Sequence, residues 1–143
     1  MAVPVKETFK MIDIFLGPKR YIQREGILAE AAGYLQPFGR RPMVLGDDLV
    51  LSIVRPILED RLSGAGFSPA FVSFGDECSL SEVSRLVEIA RRENLDFIVG
   101  TGGGKAIDTS RIVAERLASP LITLPTSAAT CSGASSVSVV YEK

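Results

Sequence analysis

The chain has 143 residues, 46% of them hydrophobic and 23% charged, with a net charge of −1. That length suits one domain with a proper core, and the near-neutral balance supplies no basic field for nucleic acid or an anionic membrane surface. No apolar stretch approaches the ~20 residues of a membrane span, and Met1 to Glu7 carry no apolar core of the signal-peptide kind, so a cytoplasmic location is the expectation. Histidine is absent, which removes the commonest general base and metal ligand together. The two cysteines, Cys78 and Cys131, have no C-x-x-C spacing and are expected as reduced thiols.

Taken in order, Tyr21-Ile22 suggests a short strand. Gly26 to Gln36 carries Leu28, Ala31, Ala32 and Leu35 at helical spacing, stopped by Pro37. Pro42 to Gly46 reads as a buried strand that opens the main sheet. Leu49 to Leu62 reads as a helix with Leu51, Val54, Ile57, Leu58 and Leu62 apolar, and Pro56 predicts a kink or two shorter pieces. Ala70 to Phe74 is the next strand. Ser79-Leu80-Ser81-Glu82 is a capping box, so a helix is expected to about Glu93 with Leu80, Val83, Val87 and Ala90 inward. Asp96 to Val99 is a short buried strand, residues 105–117 a helix and Leu121 to Leu124 a strand. The tail ends in Val137 to Tyr141, an alternation that predicts another strand. Strands alternating with helices imply βαβ units and a parallel sheet, an α/β fold.

Between strand and helix stands Gly100-Thr101-Gly102-Gly103-Gly104-Lys105. A strand that ends in glycines and restarts as a helix presents free N–H groups at the positive end of the helix dipole, where phosphate binds well. The glycines also let a ligand approach the backbone, because no Cβ stands in the way. Two common templates fit poorly. A Walker A loop needs a hydroxyl residue after the lysine, where this chain has Ala106; the G-x-G-x-x-G fingerprint needs glycine at Lys105 and an acid about 20 residues on. A nucleotide or other phosphate-bearing ligand is the reading, with a ligand-free turn as its alternative.

Ligands of such sheets bind beyond the carboxyl ends of the strands. Asp47, directly after a strand, is suited to accept hydrogen bonds from a ribose diol, or equally to cap the following helix. Lys105 can neutralise a phosphate or stand as a solvated first-turn lysine, and the adjacent glycines favour the former. Asp108 can contact a cofactor or serve the helix dipole.

Gly17-Pro18-Lys19-Arg20-Tyr21-Ile22-Gln23, Val44-Leu45-Gly46-Asp47, Phe74-Gly75-Asp76-Glu77-Cys78-Ser79, Gly102-Gly103-Gly104-Lys105 through Asp108-Thr109, Pro125-Thr126 and Ser135 to Tyr141 resemble, in order and spacing, the iron-containing alcohol dehydrogenase superfamily. The glycerol dehydrogenase branch looks most similar. The resemblance implies an N-terminal NAD-binding domain over residues 1–143, a Rossmann-like parallel sheet flanked by helices. It implies that Gly102, Gly103, Gly104 and Lys105 hold the pyrophosphate and Asp47 the adenosine ribose, where its carboxylate would repel the 2′-phosphate of NADP. Thr126 and Ala129 would line the cofactor groove, Ser135, Val137 and Tyr141 would approach the nicotinamide end, and Asp108 matches the family's acid after the loop.

Family members oxidise alcohols by hydride transfer to NAD(P), with a divalent metal (Zn or Fe) polarising the substrate oxygen. Cys131 stands in the substrate-facing loop where glycerol dehydrogenases usually carry aspartate, so the implied small alcohol or polyol need not be glycerol; a buried small residue is the other reading of Cys131. The family's helical, histidine-bearing metal domain has no counterpart in this sequence, so no metal ligand is assigned and the chain alone is expected not to turn over. A bare edge at Val137 to Tyr141 predicts a homo-oligomer or a disordered tail. The other readings are a non-catalytic nucleotide-binding or oligomerisation module and, within the superfamily, a relative of dehydroquinate synthase or glycerol-phosphate dehydrogenase.

Overall fold

The computed structural model describes residues 17–75 and 77–141. Four strands form one all-parallel sheet: β1 (Pro42–Gly46), β2 (Ala70–Ser73), β3 (Phe97–Gly102) and β4 (Leu121–Pro125), in the order β2-β1-β3-β4. The central strands are apolar on both faces because helices cover both. Val44, Phe97 and Val99 pack with Leu51, Val54, Leu58 and Leu62 of α2 (Asp48–Gly64) and with Ala31 and Leu35 of α1 (Ala31–Leu35). The alternate residues Met43, Leu45 and Ile98 face α3 (Leu80–Arg92) and α4 (Gly104–Leu117), meeting Val83, Leu86, Val87 and Val113. Met43, Val44, Leu45, Phe97 and Val99 are fully buried, and a fully buried side chain of this size contributes about 1.5–3 kcal/mol.

The α/β alternation read from the sequence is the observed one, with local corrections. Residues 17–24 form no strand, and Tyr21 is exposed. The helix expected over Gly26 to Gln36 is a succession of a 3-10 turn (Ile27–Glu30), α1 and a second 3-10 turn (Gln36–Phe38). Pro37 lies inside that last turn, near its start, where a missing N–H costs no hydrogen bond. α2 is a single helix despite Pro56, which sits on the exposed face. The carbonyl four residues back loses its N–H partner there, on a face open to solvent. Ile57 on that face is exposed, and so are Leu49 and Ile53.

β3 extends three residues beyond Val99, so Gly100, Thr101 and Gly102 are strand rather than loop. Leu80, expected inward, is 46% exposed because it occupies the first helical turn, ahead of the buried stripe that starts at Val83. Val137 to Tyr141 forms no strand: no other strand lies beside it among the described residues, and its N–H groups go to single partners, Val139 to Asp108 Oδ2 and Tyr141 to the Cys78 carbonyl.

The capping box closes on one side only. Ser79 Oγ accepts from Glu82 N at 3.3 Å, whereas the Glu82 carboxylate accepts from Gly75 N at 2.8 Å and from Arg85. Glu82 thereby ties the loop after β2 to the start of α3. The Arg85 guanidinium holds the Glu82 carboxyl below its ordinary range, aided by the Gly75 N–H and opposed by burial. With the folded value below the unfolded one, this stabilisation is complete above about pH 4.3 and is lost as pH falls through the folded value. Glu82→Gln is expected to flatten the acid limb of the stability curve below about pH 5, measured as urea midpoints against pH. Identical acid limbs in both proteins would contradict the assignment.

Candidate functional site

The sheet order creates a topological switch point. The chain leaves β1 through α2 toward β2 on one side, whereas β3 lies on the other side of β1. The carboxyl ends of β1 and β3 therefore adjoin, with Leu45 opposite Gly100, and ligands of open α/β sheets bind at such a crevice. Asp47 leaves β1 and Gly103 leaves β3 at this place. A cleft of about 420 Å³ opens there, walled by Asp47, Asp48 and Leu49 from the start of α2, Phe74 after β2, and Gly103, Gly104, Lys105 and Ala106 from the start of α4. A larger cleft of about 540 Å³ sits at the opposite strand edge, between Arg41, Glu59, Phe67 and Glu93. It has no helix N-terminus and no glycine loop, and the chemistry points to the smaller one.

Each glycine of the loop has its own reason. Gly102 adopts φ +132°, a conformation open to glycine, and a Cβ on it would stand 3.1 Å from Ala106 Cβ and 3.8 Å from Asp47 Oδ2. Gly103 caps α4 with no side chain, so the N–H groups of the first helical turn find no cap partner in it. A Cβ on Gly103 would meet nothing within 4 Å, which leaves the approach to those donors open. A Cβ on Gly104 would stand 3.1 Å from Ser132 Oγ and 3.3 Å from Thr130 Oγ1, so two hydroxyls flank the loop.

Asp47 Oδ1 accepts from Val50 N at 2.8 Å and caps α2, while Oδ2 is the oxygen that faces Gly102. One carboxylate thus caps the helix and keeps an acceptor toward the crevice. Lys105 Nζ lies 2.6 Å from Glu77 Oε1 and 5.6 Å from the centroid of the Tyr141 ring. Thr126 joins the site through its N–H, which donates to the Gly102 carbonyl at 3.0 Å.

Of the expected residues only Asp47, Gly103, Gly104 and Lys105 wall this crevice; Gly102, Thr126 and Tyr141 adjoin those walls without lining them, and Val137 is exposed outside them. Asp108 is buried and paired with Arg111 at 2.8 Å. Ala129 is exposed and donates to Ser127 Oγ. Ser135 Oγ accepts from Val137 N at 3.0 Å and donates to the Val137 carbonyl at 3.2 Å, which closes a local turn. Cys131 is exposed, against the reading of it as a buried small residue. Cys78 is fully buried, and burial foremost raises its thiol above the ordinary value.

Sequence reasoning missed Glu77, Thr130, Ser132 and Arg111. Only Arg111 carried a local signal, its i,i+3 spacing from Asp108 on one helix. Glu77 meets Lys105 across 28 residues of sequence, and no pattern announces that.

The donors, the lysine, the glycine cradle and the carboxylate across the crevice fit a nucleotide diphosphate. A metal ion does not fit these residues. Among the described residues no three His, Cys, Asp or Glu side chains stand together to hold one, and the sequence contains no histidine. No helix among the described residues is long and apolar enough to cross a membrane.

The family model for iron-containing alcohol dehydrogenase matches residues 18–143. The glycerol dehydrogenase of Escherichia coli O6:H1 is 35% identical over 128 residues, 90% of this chain and 35% of that protein. The glycolaldehyde reductase of Halobacterium salinarum is 29% identical over 133 residues, 93% of this chain and 36% of that protein. In crystal structures, a probable glycerol dehydrogenase from Sinorhizobium meliloti 1021 superposes with a TM-score of 0.80 at 35% identity, covering 91% of this chain and 35% of that one. The chain therefore spans about a third of the length of these relatives. Covered over most of its length by that family model, the chain belongs to the iron-containing alcohol dehydrogenase family.

Proposed function

We propose that this chain is the NAD-binding part of a metal-dependent dehydrogenase of alcohols or polyols, glycerol-like in substrate class. The observation that carries the reading is the switch-point crevice, where the cap-free start of α4 and Lys105 face Asp47. NAD, when bound, supplies the hydride acceptor for the alcohol carbon. The residues of this chain bind and orient. The first-turn N–H groups of α4 and Lys105 neutralise the diphosphate, with Gly102, Gly103 and Gly104 allowing close approach. Asp47 accepts from the adenosine ribose and disfavours a 2′-phosphate by charge. Thr126, Ala129, Ser135, Val137 and Tyr141 frame the course of the cofactor, and Cys131 borders the substrate. Asp108 acts through Arg111 rather than by touching the ligand.

A catalytic metal is to be held by residues other than these, so the chain alone binds cofactor without turnover. A cytoplasmic setting and assembly into homo-oligomers, the exposed Val137 to Tyr141 segment meeting a second copy, complete the reading. Isothermal titration tests it. ADP and NAD⁺ are expected to bind, with NADP⁺ weaker by about tenfold or more from the unpaired charge at Asp47. Absence of ADP and NAD⁺ binding at millimolar concentration overturns the proposal. So does clear alcohol oxidation by this chain with NAD⁺ and added Zn²⁺ or Fe²⁺.

A further inference from the structure

Arg111 and Asp108 are nearly buried, at 16% and 10% side-chain exposure, and neither lines the crevice. The Arg111 guanidinium donates to Asp108 Oδ1 at 2.8 Å, to the Val137 carbonyl and Ser138 Oγ at 3.0 Å each, and to the Ser132 carbonyl. Asp108 Oδ2 accepts from Val139 N at 3.1 Å, and the Asp108 carbonyl accepts from Ser138 Oγ at 3.4 Å. Residues 126–141 contain no helix or strand. Their course is therefore set by such point contacts and not by a ladder.

That course matters for the site. The segment passes the glycine loop with Thr130 and Ser132 against Gly104, then returns so that the Tyr141 ring meets Lys105. The crevice between Asp47 and Lys105 measures about 420 Å³, and its walls do not include residues 130–139. Thr130 and Ser132 flank Gly104 outside those walls, so a ligand that continues past the glycine loop on that side meets this segment.

We propose that Arg111 is a positioning residue: held by Asp108, it fixes residues 132–139 as a pre-formed wall for the half of a dinucleotide that lies beyond the diphosphate. The inference rests on the dinucleotide reading above. A planar guanidinium with donors in several directions can hold two carbonyls, a hydroxyl and a carboxylate at once. An ammonium is a point charge that can keep the carboxylate but not the fan of backbone acceptors.

Arg111→Lys in this chain is the test, because it retains a positive partner for the buried Asp108. NAD⁺ affinity is expected to fall about tenfold while ADP affinity stays within about twofold, by isothermal titration. A residue needed only for folding would lower both together. Equal loss of ADP and NAD⁺ affinity overturns the proposal, and so does no loss of either.

Amide hydrogen exchange gives a second readout that needs no ligand. In Arg111→Lys and Arg111→Met the Val139 amide is expected to exchange about tenfold faster while the β1 and β3 amides keep their protection. Unchanged protection at Val139 overturns the clamp. If the wild-type chain binds neither ADP nor NAD⁺, the dinucleotide reading fails, and the exchange result still decides the clamp.

Discussion

Gly100→Val is expected to destabilise the fold by about 3 kcal/mol, a large share of the 5–15 kcal/mol that holds a typical domain together. Gly100 lies in β3 on the face covered by α4, and a Cβ there would stand 2.5 Å from Ser110 Oγ and 2.6 Å from Ser110 Cβ. Neither atom can swing clear. Ser110 is fully buried, its hydroxyl donates to the Ala106 carbonyl at 2.7 Å, and its Cβ is fixed to the helix backbone. The remaining response is to push α4 off the sheet, which also moves the glycine loop. Urea denaturation measures the loss. Ser110→Gly combined with Gly100→Ala removes both clashing atoms and is expected to recover part of the stability despite the cost of glycine within a helix. A Gly100→Val protein as stable as the wild type would refute the close approach of β3 and α4.

Gly103→Val is expected to do the opposite: leave the fold in place and abolish binding. The backbone at Gly103 has φ −85° and ψ −169°, which any residue adopts, and a Cβ there meets nothing within 4 Å. Its thermal midpoint should therefore stay close to that of the wild type. The space the valine enters is the approach to the first-turn N–H groups of α4, and a phosphate placed there would be displaced. ADP affinity is expected to fall about a hundredfold or more, as charge-assisted bonds to several backbone donors are lost together. Undiminished ADP binding would place the phosphate elsewhere. The pair of variants separates two uses of glycine in one loop, since Gly100 makes room for protein and Gly103 for a ligand.

Much of the fold was legible because its signals are local. The capping oxygen of Ser79 lies three residues from its donor Glu82 N, and that of Asp47 three residues from Val50 N. The helical spacing of Val83, Val87 and Ala90 is written within one element, and these three are buried as expected. Misreadings came where one short pattern fits two structures. The alternation Val137-Ser138-Val139-Val140-Tyr141 fits a strand, but a strand forms only where another offers its N–H and carbonyl groups, and here Asp108 and Cys78 supply isolated partners. Pro56 predicted a break, but a proline on a water-facing side leaves its orphaned carbonyl on a face open to solvent, so α2 continues.

The sequence by itself determined the α/β alternation and the strand-to-helix glycine turn, because each depends on residue types and spacings within a few positions. Only the tertiary structure decided the order β2-β1-β3-β4, which sets the ends of β1 and β3 side by side and so brings Asp47 to face Gly102. It alone decided that Lys105 shares Glu77, and that Arg111 gathers Asp108, Ser132, Val137 and Ser138. The reason is that these contacts join side chains from separate elements, and their distances are set by how helices pack on a twisted sheet, which no local pattern encodes.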